Sequence, residues 1–117
     1  MGKRKAVLHL TLKRKWFDLV LSGEKKEEYR EVKPHWMTRF GYPHPIVKWD
    51  QVLFRNGYAK NAPEIMIELK DIKTGLGDQD WGADWLNDEY ILKLGNIIST
   101  KNIKHCETAS NNRKRRL

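Results

Sequence analysis

The chain has 117 residues, a formal net charge of +8 and one cysteine. Its length suits a single domain with its own core, and its longest apolar runs are too short to form a membrane-spanning helix. Cys106 has no partner for an internal disulfide, and no Cys or paired His stands near it at metal-ligand spacing. We therefore expect a cytoplasmic monomer that binds no metal, cofactor or membrane.

The positive charge lies almost entirely at the two ends of the chain. Residues 1–5 carry three basic groups, residues 101–117 carry six basic groups and one acidic group, and residues 6–100 carry 14 of each sign. The central part is therefore formally neutral. It must recognise any ligand through local chemistry rather than through a general positive surface.

The spacing of apolar residues predicts five strands and two short helices. In chain order these are a strand at 6–12, a helix at 16–21, a strand at 26–30, a helix at 34–40, and strands at 51–55, 64–72 and 90–98. The strands at 51–55 and 64–72 are expected to pair antiparallel after the turn dipeptide Asn56-Gly57. This pattern predicts an α+β fold, a small β-barrel with two or three short helices.

The end of the chain is predicted to be a tail. Apolar residues almost vanish from residue 100 onward, so we assign residues 1–99 to the domain and residues 100–117 to a disordered basic tail. Such a tail is typical of a phosphate-binding or nuclear-localisation segment, and equally of a simple solvated end. If it binds RNA, it would contact phosphates without sequence preference through Arg113, Lys114, Arg115 and Arg116.

A charged strand after the first helix contains the main motif. Gly23, Lys25, Glu28 and Arg30 form the pattern G-x-K-x-x-E-x-R. Together with the preceding apolar helix and the later strands at 52–58 and 90–95, this motif resembles the ASCH domain, a relative of the PUA RNA-binding domain. The resemblance spans residues 6–98 in order. It implies a PUA-like barrel with a cleft that recognises a base or nucleoside. The ligand would be RNA or a nucleotide.

Strand geometry gives two of these residues a shared role. Side chains repeat their facing every second residue, so Glu28 and Arg30 point to the same side, about 6.5 Å apart along the backbone. A carboxylate can accept from the exocyclic amine of a base while a guanidinium donates to a carbonyl or phosphate, and Lys25 adds a mobile cation. The alternative is a solvent-exposed ion pair worth less than about 1 kcal/mol.

Later loops supply the remaining candidate ligands. Besides Lys25, Glu28 and Arg30, the candidate set contains Arg55, Asn56, Tyr58 and Trp81. Trp81 and Trp85 lie in a Gly- and Asp-rich loop at the expected rim of the cleft, where each ring could stack on a base or pack into the core. Trp16 and Trp36 are expected to pack on the barrel.

The resemblance also raises an enzymatic alternative. Some ASCH proteins release the acetyl group from acetylated cytidine, and others are reported to cleave RNA. In the amidohydrolase members, a lysine at the position of Lys25 works with a threonine three residues later and a distant glutamate. Here Glu28 replaces that threonine, and the distant glutamate has no obvious counterpart.

Catalysis by Lys25 and Glu28 would require a desolvated lysine with a lowered pKa. The charged neighbours Glu24, Lys26 and Glu27 predict instead that Lys25 is exposed. We therefore rank an RNA- or nucleotide-binding module first and a small hydrolase second. A protein-interaction adaptor ranks third, and an exposed apolar patch without nearby cations in the Trp81–Trp85 loop would favour it.

Overall fold

The computed structural model describes residues 5–103 and has an α+β fold. In chain order the elements are β1 (Val7–Thr11), α1 (Arg14–Leu21), β2 (Glu27–Glu31), α2 (Pro34–Phe40), β3 (Gln51–Arg55), β4 (Glu64–Gly75), a 3₁₀ helix (Gln79–Trp81) and β5 (Glu89–Lys101). The longer α-helix, α1, has eight residues, and within residues 5–103 no helix is long and apolar enough to cross a membrane.

The five strands form one curled sheet, a half-barrel, in the order β1-β3-β4-β5-β2. β1 runs parallel to β3, and the other three pairs are antiparallel, including the predicted β3–β4 pair. β1 and β2 are therefore the two edge strands. A side chain bridges these edges, because Nη2 of Arg30 on β2 donates to the carbonyl oxygen of Thr11 on β1 at 3.0 Å.

The core lies on the inner face of this sheet, beneath the two helices. The predicted alternation is confirmed on β4, where Ile65, Ile67 and Leu69 are buried. Helices α1 and α2 contribute Phe17 and Phe40, both at most 1% exposed. Burying one such side chain contributes about 1.5–3 kcal/mol, so the short helices are held mainly by packing.

The end of β5 differs from the sequence-based boundary. The strand continues to Lys101, which is the register partner of Glu64, two residues past the boundary predicted after residue 99. Most of the predicted tail, residues 104–117, lies outside the described residues. The four candidate phosphate-binding residues Arg113, Lys114, Arg115 and Arg116 belong to that part.

The loop between β4 and β5 packs closely on α1 and β2. Gly82 has φ +100°, and a Cβ there would lie 2.8 Å from the ring of Trp16. A Cβ on Gly77 would collide with the ring of Tyr29. The Tyr29 hydroxyl also accepts a hydrogen bond from the backbone N–H of Asp78 at 2.9 Å. These contacts bring the loop over the start of β2.

Candidate functional site

A cleft of about 720 Å³ opens between the two edge strands. Its wall is built by the end of β1, by the first turns of both α-helices, by β2 and by the turn after β3. The side chains that matter for its chemistry are Trp16, Glu28, Arg30, Trp36, Asn56, Tyr58 and Glu89. A cleft of this volume suits a small-molecule ligand.

Glu28 lies at the base of this cleft between two cations. Its Oε2 is 2.7 Å from Nη2 of Arg30, and its Oε1 is 3.4 Å from Nζ of Lys25. The prediction that Glu28 and Arg30 share one side of the strand is confirmed. The alternative of a solvent-exposed pair is wrong, because Glu28 is only 6% exposed.

Lys25 is buried, at 2% exposure, so the prediction of an exposed lysine is wrong. Its Nζ donates to the backbone carbonyl oxygen of Trp81 at 2.6 Å and lies 5.2 Å and 4.7 Å from the ring centroids of Trp16 and Tyr29. Burial lowers the pKa of Lys25, although nearby Glu28 opposes the shift. The cleft lining does not include Lys25, which borders the site through Glu28.

Arg30 carries an unused hydrogen-bond donor. Its Nη2 is engaged by Glu28 and by the Thr11 carbonyl, and its guanidinium lies 5.2 Å from the ring centroid of Trp36. Its Nε is buried and has no hydrogen-bond partner within residues 5–103. A buried donor without a partner costs about 1–3 kcal/mol. The part of Arg30 that a ligand can reach is the exposed remainder of the side chain, 19% of its surface.

Two further predicted ligands also line the cleft, Asn56 and Tyr58. The Asn56 amide nitrogen donates to the carbonyl oxygen of Leu12 at 3.0 Å. That carbonyl can only accept, so the amide orientation is set, and Oδ1 points the other way and accepts no hydrogen bond from residues 5–103. Tyr58 follows the turn and is 85% exposed, which leaves its ring available for stacking.

Arg55 and Trp81, also predicted as ligands, have other contacts. Nε of Arg55 pairs with Glu64 at 2.8 Å, and its Nη2 donates to the carbonyl oxygen of Ala59 at 2.9 Å. Arg55 thus stabilises the β3–β4 connection. It lines a smaller neighbouring pocket and not the main cleft. Trp81 contributes its backbone carbonyl to Lys25, and the cleft lining does not include its ring.

Three cleft residues that bear on its chemistry, Trp16, Trp36 and Glu89, are not among the ligands predicted from the sequence. Trp16 and Trp36 pack on the core as expected, yet both also line the cleft. Glu89, the first residue of β5, is 7% exposed at the cleft, and its Oε1 accepts from the Asp84 N–H at 2.9 Å. Burial raises the pKa of Glu89. Nothing in the local sequence distinguishes this glutamate from the other acidic residues near it.

The loop that holds Trp81 also exposes apolar side chains. Trp85 is 68% exposed and Leu86 is 69% exposed, and neither is part of the cleft lining. Among residues 5–103, no group of three or more His, Cys, Asp or Glu is placed to hold a metal ion.

Comparison of the chain with protein-family models, with curated proteins and with solved structures found no match. The geometry defines a small α+β half-barrel whose sheet edges enclose a charged cleft with aromatic walls.

Proposed function

We propose that this chain is an ASCH-type, PUA-like module that binds RNA or a nucleotide by holding one base or nucleoside in the cleft between β1 and β2. The main support is the placement of Glu28 and Arg30 on one cleft floor, beneath aromatic walls. Bases are commonly recognised by hydrogen bonds to their edges together with stacking on aromatic side chains.

The contacts refine how each residue would act. Both carboxylate oxygens of Glu28 already face cations, so its role is to orient Arg30 rather than to read the base. The partly exposed guanidinium of Arg30 supplies a donor for a base carbonyl, and Asn56 Oδ1 supplies an acceptor for an exocyclic amine. Tyr58, the most exposed aromatic residue of the cleft, supplies the stacking face.

The test is binding of a fluorescein-labelled, mixed-sequence RNA dodecamer to the full chain and to the Arg30→Lys variant. Lysine keeps the charge but lacks the planar guanidinium, whose several N–H donors point in fixed directions. We expect a 5- to 100-fold loss of affinity, since such a contact is worth about 1–3 kcal/mol. Salt near 0.3 M weakens nonspecific phosphate binding by the tail.

The matched control is Arg14→Lys, which changes an exposed arginine on α1. Equal affinity of the unchanged chain and Arg30→Lys would contradict base reading in this cleft. If the unchanged chain binds neither the dodecamer nor any of the four ribonucleosides, the proposal as a whole is contradicted.

Hydrolysis of a modified nucleoside is the second candidate, and the burial of Lys25 favours it. A desolvated lysine with a lowered pKa releases its proton more readily than the exposed lysine expected from the sequence, and Lys25 borders the cleft through Glu28. Glu28 is held by two cations and is therefore a poor base. Glu89, a buried carboxyl with a raised pKa, is better suited to accept a proton from the attacking water. The water adds to the amide carbonyl, the C–N bond breaks, and the proton passes to the leaving amine.

Acetate release from acetylated cytidine tests this candidate. We expect Lys25→Met and Glu89→Gln each to lower the rate by at least about 100-fold, the size of a general acid–base contribution. Lys26→Met, which removes an exposed neighbouring lysine, is the control. No acetate release by the unchanged chain would remove this candidate and leave the binding proposal intact.

A further inference from the structure

One stretch of the otherwise neutral domain is distinctly basic. Residues 32–49 contain Lys33, Arg39 and Lys48 together with His35 and His44, and no Asp or Glu. The stretch comprises α2 and the segment that leads to β3. Because Trp36 of α2 lines the cleft, this basic surface begins at the wall of the candidate site.

Arg39 is the best-placed cation of this stretch. Its guanidinium lies 5.8 Å from the ring centroid of Trp36 and 6.0 Å from that of Trp49. Both rings pack against the core through Phe40, which stacks on Trp36 and meets Trp49 edge-on. The two tryptophans thus hold the guanidinium in position, so its donors are already ordered before any ligand arrives.

The charge of Arg39 is also uncompensated. No carboxylate within residues 5–103 lies within ion-pair distance of it, whereas Arg30 is paired with Glu28 and Lys33 with Glu31. Arg30 and Arg39 lie over the same indole, that of Trp36. One arginine therefore belongs to the neutralised floor of the cleft, and the other offers free donors beside it.

We propose that Arg39 binds the phosphate that joins the nucleotide in the cleft to its neighbour, so the ligand is a single-stranded polynucleotide rather than a free nucleoside. This inference rests on the proposed function. A planar guanidinium matches the geometry of phosphate oxygens and can hold two of them at once. The cleft, in which Glu28 neutralises Arg30, binds the base, and the adjacent basic surface of α2 binds the backbone.

The experiment compares Arg39→Gln with the unchanged full chain in two assays. The first measures affinity for the fluorescein-labelled RNA dodecamer as a function of salt. The second measures affinity for the four ribonucleosides, which lack phosphate. We expect Arg39→Gln to weaken dodecamer binding about 5- to 20-fold and to reduce the salt slope by about one ion. We expect nucleoside affinity to stay within about twofold, because those ligands have no phosphate to contact.

Two further variants complete the design. Lys70→Gln removes one exposed charge from β4 and should change neither affinity. Arg39→Lys keeps the charge without the planar fork and should give an intermediate loss, which also protects the test if glutamine unfolds the chain.

The outcomes separate the two proposals. Dodecamer binding with an unchanged salt slope in Arg39→Gln would overturn the phosphate site while leaving base recognition in the cleft intact. Nucleoside and dodecamer affinities that fall together would also overturn it, because Arg39 would then act on the cleft itself. Absence of binding by the unchanged chain would overturn the proposed function and this inference with it.

Discussion

The ammonium group of Lys25 lies 3.4 Å from the carboxylate of Glu28, and both side chains are less than a tenth exposed. Glu28 is in turn bound to Arg30, and Lys25 to the backbone of Trp81. A buried charge is tolerated when it is paired and hydrogen-bonded. The contacts from the Trp81 carbonyl through Lys25 and Glu28 to Arg30 therefore connect the loop before β5 to the floor of the cleft.

Removing Lys25 should change how stability depends on pH. Burial lowers the pKa of this lysine below 10.5, so above the lowered value the folded state has lost a proton that the unfolded state still binds. The unfolding free energy of the unchanged chain should therefore rise with pH, relative to Lys25→Met, by about 1.4 kcal/mol per pH unit within that window.

Urea unfolding between pH 7 and 9.5 measures this difference and stays below the ordinary tyrosine pKa of 10.0. The exposed neighbour supplies the control, as Lys26→Met. A stability of the unchanged chain that falls with pH over this range, relative to Lys25→Met, would contradict a lowered lysine pKa.

The close contact of Gly82 with Trp16 predicts a large cost for a side chain there. Gly82→Ala combines a strained backbone, at φ +100°, with a Cβ only 2.8 Å from the indole. Gly57 has the same φ but nothing within 4 Å of a Cβ, so Gly57→Ala measures the backbone cost alone. We expect Gly82→Ala to be less stable than Gly57→Ala by about 1–3 kcal/mol.

Urea unfolding gives both values, and hydrogen exchange of the Asp78 amide reports whether the loop has lifted from Tyr29. An equal loss of unfolding free energy in the two glycine variants would show that Gly82 is not in close contact with Trp16 of α1.

Tyr58 should affect binding without affecting stability. Its ring is 85% exposed, so Tyr58→Ala removes little buried surface. We expect a 5- to 100-fold loss of affinity for the RNA dodecamer, since stacking on an aromatic side chain is worth about 1–3 kcal/mol per base. Trp85→Ala, at 68% exposure outside the cleft lining, is the control and should bind normally. Equal affinities in a fluorescence titration would exclude Tyr58 as a stacking face.

Arg55 should behave in the opposite way. Its ion pair with Glu64 is about a quarter exposed on the arginine side, and Arg55 also donates to Ala59. We expect Arg55→Gln to lower the unfolding free energy by about 1–2 kcal/mol with little change in RNA affinity. Arg14→Gln, which breaks an exposed pair with Asp18, should cost less than about 1 kcal/mol. Selective loss of RNA binding with unchanged stability would restore Arg55 to the ligand set.

Local patterns were enough to predict the elements and one side of the site. The two-residue period of a strand placed Ile65 and Ile67 in the core, and it placed Glu28 and Arg30 together. The antiparallel pairing of β3 and β4 follows from their separation by a short turn-rich segment. These features depend on neighbours in sequence, so the sequence alone determined them.

Only the tertiary structure decided the environment of Lys25 and the use of Trp36. The charged neighbours of Lys25 predicted exposure, but the group that buries it is the Trp81 loop, which lies 56 residues away in the chain. Trp36 reaches the cleft because the curled sheet brings β1 opposite β2 beneath α2. The desolvation of a side chain and the composition of a cleft wall depend on which distant segments come into contact. The periodicity within one segment carries no information about those contacts.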